Sequence, residues 1–219
     1  GLALAQIDTI FITHEHSDHI GCARSLALKH RIPVWMSHGT HAALGSPDLD
    51  GLLRTAHDLE PIDLGSWQAT PFTVPHDARE PLQLHCTDGA TRLGVLTDLG
   101  HASAHVKEQL AGCHTLMLGR GIVTNPGLGW DIQAHDAAVN GLPAPSKQVR
   151  WQDLPPHLHT FWQIVSGHVS ERHQAGRLKQ WLNFLRKHYP EAEAAYMHVR
   201  TLTSPKDINA WFDAMPAKQ

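Results

Sequence analysis

Near the start of this sequence, a short apolar segment leads directly into a cluster of histidines. Residues 7–12 (IDTIFI) are rich in β-branched side chains, a pattern that predicts a buried strand. The segment HEHSDH follows at positions 14–19. Because residues two apart in extended backbone point the same way, His14 and His16 can face one metal ion. Asp18 and His19 fall where the strand turns into a helix and can face a second ion nearby, since imidazole and carboxylate are both zinc ligands.

The composition also favours metal or acid–base chemistry. Histidine supplies 19 of the 219 residues, whereas charged residues make up only 18% of the chain. Histidine is the commonest metal ligand and titrates near neutral pH. The alternative is a histidine-rich surface turn, but with this composition the spacing has a chance of roughly 1% of arising at random.

The charge balance indicates which binding partners to expect, and the cysteines indicate the cellular compartment. The net charge is −3 and the pI is near 6.7, so no general polyanion-binding surface is indicated and a nucleic-acid substrate would need a local site. Three cysteines without paired spacing indicate a reducing, cytoplasmic environment. No basic leader and no run of 18 apolar residues occur, which predicts no membrane partner. The oligomeric state stays open.

Strand-like and helical segments alternate, which predicts one α/β or α+β domain over residues 1–219. Asp88-Gly89 predicts a hairpin between strands at 82–86 and 91–97. Residues 119–160 are rich in Gly and Pro without periodicity and predict a long irregular loop. The other predicted strands cover 33–37, 72–74, 115–118 and 194–199, and the predicted helices cover 21–30, 103–110, 170–188 and 207–214.

The segment THEHSDHIG resembles the H-x-H-x-D-H signature of metallo-β-lactamase-fold hydrolases. Three later landmarks follow in the family's order: His76 in VPHDA, Asp98 in GVLTDLG and His198 in AAYMHV. The resemblance implies an αββα sandwich that lacks its N-terminal strands, because only 13 residues precede the motif. It also implies two Zn²⁺ ions, with Mn²⁺ as the alternative. The implied ligands are His14, His16 and His76 on one ion, Asp18, His19 and His198 on the other, and Asp98 as the bridge.

Several segments resemble the nuclease-like branch of that family, which includes ribonuclease J-type enzymes. Ser166-Gly167-His168 is similar to a segment that contacts the scissile phosphate in those relatives. The resemblance implies that Ser166 and His168 bind substrate and that His168 and Asp18 are catalytic. Where that branch has an Asn-His-Asp segment, this chain has Leu-Gly-Arg-Gly at 118–121, so the function of that segment is open.

Each landmark also has a purely structural interpretation. His76 could pair with Asp77, Asp98 could cap a turn, and His198 could pack in a strand. Ser166 and His168 could belong to an ordinary glycine turn. Asp77 is expected to orient His76 rather than bind metal.

The positive charge of a two-zinc pair favours an anionic substrate. We therefore expect a zinc-dependent hydrolase that cleaves phosphodiester bonds, as a nucleic-acid exonuclease or on a small phosphodiester. A second hypothesis keeps the metals but assigns hydrolysis of thioesters, lactones or β-lactams. A third is a truncated, inactive member of the family.

Overall fold

The computed structural model describes residues 4–215, and the chain divides into two compact units with the boundary between Gly119 and Arg120. This differs from the single domain expected from the sequence. The first unit holds all eight strands found in residues 4–215, and the second contains helices in the same described range. Each unit therefore has its own secondary-structure class and its own core.

Two sheets build the first unit. Three short strands form a parallel sheet in the order β1-β2-β3, and five strands form a second sheet in the order β4-β5-β6-β7-β8. The last pair of the second sheet is parallel and the others are antiparallel. The strands are β1 (Ile10–Phe11), β2 (Val34–Met36), β3 (Leu53–Thr55), β4 (Ile62–Asp63), β5 (Gln68–Thr73), β6 (Leu82–Thr87), β7 (Arg92–Leu96) and β8 (Thr115–Leu118).

Local sequence explains much of this unit. The β6–β7 hairpin turns where predicted, with Thr87 opposite Arg92 and the Asp88 carboxylate accepting from the backbone of Ala90 and Thr91. Ser103 caps the helix that was predicted over residues 103–110 through the amide of Val106. The helices of the unit are α1 (Ser17–Ile20), α2 (Ala23–His30), α3 (His38–Ala43) and α4 (Ala104–Leu110). The mixed α/β class is confirmed.

Helices pack around one apolar core in the second unit. Trp162, Leu178 and Leu182 are among its fully buried side chains. The spacing of Leu178, Trp181, Leu182 and Leu185 predicted one helix face, and these residues lie on α8 in this core or against it. The helices are α5 (Gly121–Thr124), α6 (Leu128–Val139), α7 (Pro155–His168), α8 (Glu171–Leu185), α9 (Glu191–Val199) and α10 (Pro205–Asp213).

Two secondary-structure predictions in this unit are wrong. Residues 119–160 are not a long irregular loop, because α5, α6 and the start of α7 lie there. The predicted strand at 194–199 is part of α9, where Ala192 and Val199 are buried one heptad apart and two glutamates occupy the first turn.

Across residues 4–215, no helix combines the length and the apolar character needed to cross a bilayer.

Candidate metal centre

Four of the predicted ligands converge in the first unit. One ligand atom from each of His14, His16, His76 and Asp98 lies within 4.8 Å of the other three. His14 is 0% exposed and Asp98 is 2% exposed, so the centre of the cluster is buried. His14 and His16 follow β1, His76 follows β5 and Asp98 follows β7. Strand ends of both sheets therefore supply the cluster.

The distances in the cluster suit a metal ion. A tetrahedral zinc ion with bonds of about 2.0–2.2 Å separates its ligand atoms by about 3.3–3.6 Å. His14 Nε2 lies 3.1 Å from His16 Nδ1 and 3.5 Å from Asp98 Oδ2, and His76 Nε2 also lies 3.5 Å from Asp98 Oδ2. Three imidazoles and one carboxylate form a donor set that zinc accepts. The residues present therefore fit the ion that the sequence motif implies.

Thr13, which the sequence prediction missed, orients two of the histidines. Its hydroxyl oxygen lies 3.0 Å from His14 Nδ1 and 3.3 Å from His19 Nδ1. With the Nδ1 atoms engaged there, the Nε2 atoms of both rings face Asp98. Partners of this kind fix ring orientation and tautomer at metal sites. The position of Thr13 directly before the histidine motif was the only sequence signal for this orienting role.

Asp77 orients the third histidine, as expected. Its Oδ1 atom lies 3.1 Å from His76 Nδ1, while the Asp77 side chain itself is 88% exposed. The Nε2 atom of His76 is therefore the one that faces Asp98.

Hydrogen bonds to the backbone position the segments that carry His76 and Asp98. The amide of Gly100 donates to the carbonyl of Pro75 at 2.7 Å. A Cβ atom at position 100 would lie 2.8 Å from that oxygen, so the contact requires glycine. The buried Gln83 side chain accepts from the amide of Thr97 and donates to the carbonyl of Asp98. Neither Gln83 nor Gly100 was a predicted site residue.

The environment keeps His14 neutral. Burial lowers its pKa to about 4, with further lowering from His19, His76 and His16 and an opposing effect of Asp98. A neutral imidazole is the form that binds a metal ion. His14 is therefore available as a ligand at neutral pH without first losing a proton.

The remaining motif residues lie beside the cluster. His19 Nε2 is 3.1 Å from Asp98 Oδ2 and 3.8 Å from Asp18 Oδ2. The Asp18 side chain is 56% exposed, because it projects from the short helix α1. Asp18, His19 and Asp98 thus form a second, more open set of donors next to the first.

The other predicted site residues lie in the second unit. His198 is exposed on α9, so the strand-end placement that the resemblance implied for it is wrong. Ser166 and His168 are exposed in the last turn of α7 rather than in a glycine turn, and His168 Nδ1 contacts the carbonyl of Ile164. Their predicted roles stay predictions, without the local geometry that suggested them.

A comparison with known proteins identifies the family. A family model described as the β-lactamase superfamily domain matches residues 2–150. The fold and the His/Asp centre define a metal-dependent hydrolase class, and the chain belongs to the β-lactamase superfamily with the metallo-β-lactamase fold. In a structural comparison, the Rm3 metallo-β-lactamase has a TM-score of 0.46 at 17% identity, covering 65% of this chain and 73% of that one.

Curated relatives carry two different names. A tRNA-dihydrouridine(16) synthase of Aquipseudomonas alcaligenes is 41% identical over 92 residues, which cover 42% of this chain and 28% of the relative. An exodeoxyribonuclease YycJ of Bacillus anthracis is 28% identical over 121 residues, which cover 53% of this chain and 45% of the relative. The chain therefore spans less than half the length of these relatives.

Proposed function

We propose that the first unit is a zinc-dependent phosphodiesterase that acts on nucleic acid as an exonuclease. The observation that carries this proposal is the convergence of His14, His16, His76 and Asp98, with His19 against the same carboxylate. The proposed complement is two Zn²⁺ ions, with Mn²⁺ as an alternative. When bound, such ions polarise a phosphoryl oxygen and acidify water near neutral pH.

The residues of the chain support that chemistry in distinct ways. The buried Asp98 carboxylate holds a negative charge between three imidazoles, so it fixes the positions of His14, His19 and His76. Asp18 lies on the solvent side, where a substrate can approach, and we assign it a catalytic role at that rim. The relative named exodeoxyribonuclease supports nucleic acid as the substrate class.

A direct test compares substrate classes on the zinc-loaded chain. We expect hydrolysis of bis-p-nitrophenyl phosphate and shortening of end-labelled single-stranded DNA, and no hydrolysis of nitrocefin. DNA labelled at either end reports the polarity of cleavage. Cleavage of nitrocefin or of a thioester without phosphodiesterase activity would favour the second hypothesis, and no turnover by a fully metal-loaded chain would favour the inactive one.

A second candidate function concerns the second unit, which we propose is an RNA-binding module. Residues 120–219 contain 11 Lys and Arg against eight Asp and Glu, whereas residues 1–119 contain seven against 13. In α8 the only acidic residue is Glu171, and Arg172, Arg177 and Lys179 occupy its exposed or half-buried positions. A basic helix face of this kind can contact phosphates.

The relatives named tRNA-dihydrouridine(16) synthase support RNA as the ligand. We infer that their 92-residue match corresponds to the second unit, which has a similar length of 100 residues. Binding of unmodified tRNA by the full chain should weaken when Arg172 and Arg177 are both changed to Glu. Substituting the acidic Glu191 and Glu193 with Gln is the matched control. Equal affinity in all three proteins would overturn this second proposal.

A further inference from the structure

We propose that a groove at the other end of the first unit, away from the metal centre, binds a guanine nucleoside. The groove is lined by residues that precede the strands, among them Asp8, Trp35, Arg54, Asp63 and Trp67. The inference goes beyond the proposed phosphodiesterase activity and does not depend on it. It follows from the place of the groove, its aromatic surface and its charges.

The strands separate the groove from the metal centre. Thr9 lies directly before β1 and Trp67 directly before β5, whereas His14 and His76 follow those strands. Because β5 has six residues, at about 3.3 Å per residue its two ends lie about 20 Å apart. The groove has a volume of about 640 Å³, and small-molecule sites usually measure about 300–1,000 Å³. It is therefore a separate site, large enough for a nucleoside.

Two tryptophans give the groove a flat aromatic surface. Trp35 lies on β2 and is half-buried. Trp67 lies in the β4–β5 connection and is 38% exposed, and its carbonyl accepts from the amide of Leu64 at 2.8 Å, which closes that turn. Nucleobases stack on aromatic side chains because both partners are flat rings. The groove therefore offers a platform for a base.

Polar groups of both signs border the same surface. Asp8 and Asp63 are exposed carboxylates, which accept hydrogen bonds, and Arg54 is an exposed guanidinium, which donates them. The Nη1 atom of Arg54 donates to the carbonyls of Gly51 and Leu53 at 2.9 and 2.8 Å, so the side chain is held while its Nη2 and Nε donors remain for a ligand.

Guanine matches this set of donors and acceptors. One of its edges carries two N–H donors side by side, which a single carboxylate can accept. Another edge carries the O6 and N7 acceptors, to which arginine donates two hydrogen bonds. Adenine lacks both the paired donors and the O6 acceptor, so we expect guanine to be preferred.

The charge of the groove favours a nucleoside over a nucleotide. The two carboxylates of Asp8 and Asp63 and the one guanidinium of Arg54 give a net charge of −1. Residues 1–119 as a whole contain seven Lys and Arg against 13 Asp and Glu. A phosphate group on the ligand would therefore be repelled, whereas an uncharged nucleoside is not.

The test is a titration of the full, ¹⁵N-labelled chain with guanosine, followed through the indole N–H signals of its seven tryptophans. We expect the signals of Trp35 and Trp67, assigned with Trp→Phe variants, to shift with a Kd below about 1 mM. The five tryptophans of the second unit lie outside the groove, and their signals should stay in place.

Two variants test the two kinds of contact. Trp67→Ala should weaken guanosine binding by about fivefold or more, the effect of losing one stacking partner. Arg54→Gln should weaken it by a similar factor. Met117→Ala is the matched control, because it removes another exposed apolar side chain of the first unit that does not line the groove. Circular dichroism verifies that each variant is folded.

Several results would overturn the inference. They are an absence of shifts in both groove signals at about 1 mM guanosine, and an affinity that neither Trp67→Ala nor Arg54→Gln lowers. Equal or tighter binding of adenosine would contradict the hydrogen-bond match, and tighter binding of guanosine 5′-monophosphate would contradict the charge argument. Guanosine binding without phosphodiester hydrolysis would leave this inference intact and reject the proposed activity, so the two failures are distinguishable.

Discussion

Asp98→Asn should remove metal binding while leaving the fold of the first unit intact. The Oδ2 atom of Asp98 lies 3.1 Å from His19 Nε2 and 3.5 Å from the Nε2 atoms of both His14 and His76. Asparagine has nearly the same shape but no charge. The substitution therefore tests the carboxylate charge rather than the packing.

The size of the effect follows from the proposed role of Asp98 as a ligand shared by both ion positions. Removing a residue that only orients a ligand costs about 10–100-fold, so neutralising a shared ligand should cost at least about 100-fold in affinity. This equals about 2.8 kcal/mol of binding free energy, at about 1.4 kcal/mol for each factor of ten. The buried position limits compensation by water.

The assay is competition for zinc with a chromophoric chelator, with bound zinc measured after gel filtration. The matched control is Glu108→Gln on the exposed side of α4, which makes the same change in net charge within the same unit. We expect the control to bind zinc as the wild type does. Binding by Asp98→Asn within about threefold of the wild type would refute the assignment of Asp98 as a ligand.

Three further predictions concern packing at Gly100, the pH dependence of stability and the roles of Asp98 and His168. Gly100→Ala places a Cβ 2.8 Å from the Pro75 carbonyl oxygen. The free energy of unfolding, measured by urea titration, should therefore fall by about 1–3 kcal/mol. An unchanged free energy of unfolding would contradict the close contact. Burial lowers the pKa of His85 to about 4 from its ordinary 6.5, so the unfolded chain takes up a proton that the folded chain excludes. With metal removed by a chelator, the free energy of unfolding should therefore fall as the pH drops from 6.5 towards 4, and His85 should contribute up to about 1.4 kcal/mol per pH unit to that fall. His85→Gln should reduce the difference between the free energies of unfolding measured by urea titration at pH 7 and at pH 5. Asp98→Ala should lower kcat on bis-p-nitrophenyl phosphate more than His168→Ala does. Loss of the His168 imidazole, as a single donor to the substrate, would lower kcat by about 10²–10³-fold. If His168→Ala lost metal and Asp98→Ala kept it, the assignment of Asp98 as a ligand and His168 as a substrate contact would be wrong.

Short-range patterns in the sequence predicted most of the first unit. Strand-like apolar segments between turn residues predicted β2, β6, β7 and β8, and a helix was predicted over residues 103–110, where α4 lies. The spacing of His14 and His16 after a strand depends on local backbone geometry and predicted a metal site, whereas His76 and Asp98 came from the resemblance to metallo-β-lactamase-fold hydrolases. The structure brings all four residues together.

The remainder depends on packing that the sequence does not display. Prolines at the start of α7 argued against a helix there. Pro155 and Pro156 occupy its first turn, where the amides that proline lacks would have no partner within the helix, so they do not interrupt it. Residues 194–199 were predicted to form a strand, but burial of Ala192 and Val199 on one face selects a helix. The roles of Thr13, Gln83 and Gly100 arise from contacts between segments distant in sequence or between a ligand and its neighbour.

We infer that three histidines and one carboxylate of the first unit hold a metal ion. X-ray absorption at the zinc edge tests it most directly, on the full chain loaded with one equivalent of zinc. We predict a shell of nitrogen and oxygen at about 2.0–2.2 Å with the outer-shell scattering of three imidazoles, and no sulfur. A sulfur shell at about 2.3 Å would assign the ion to one of Cys22, Cys86 and Cys113, and a shell with fewer than three imidazoles would contradict the ligand set.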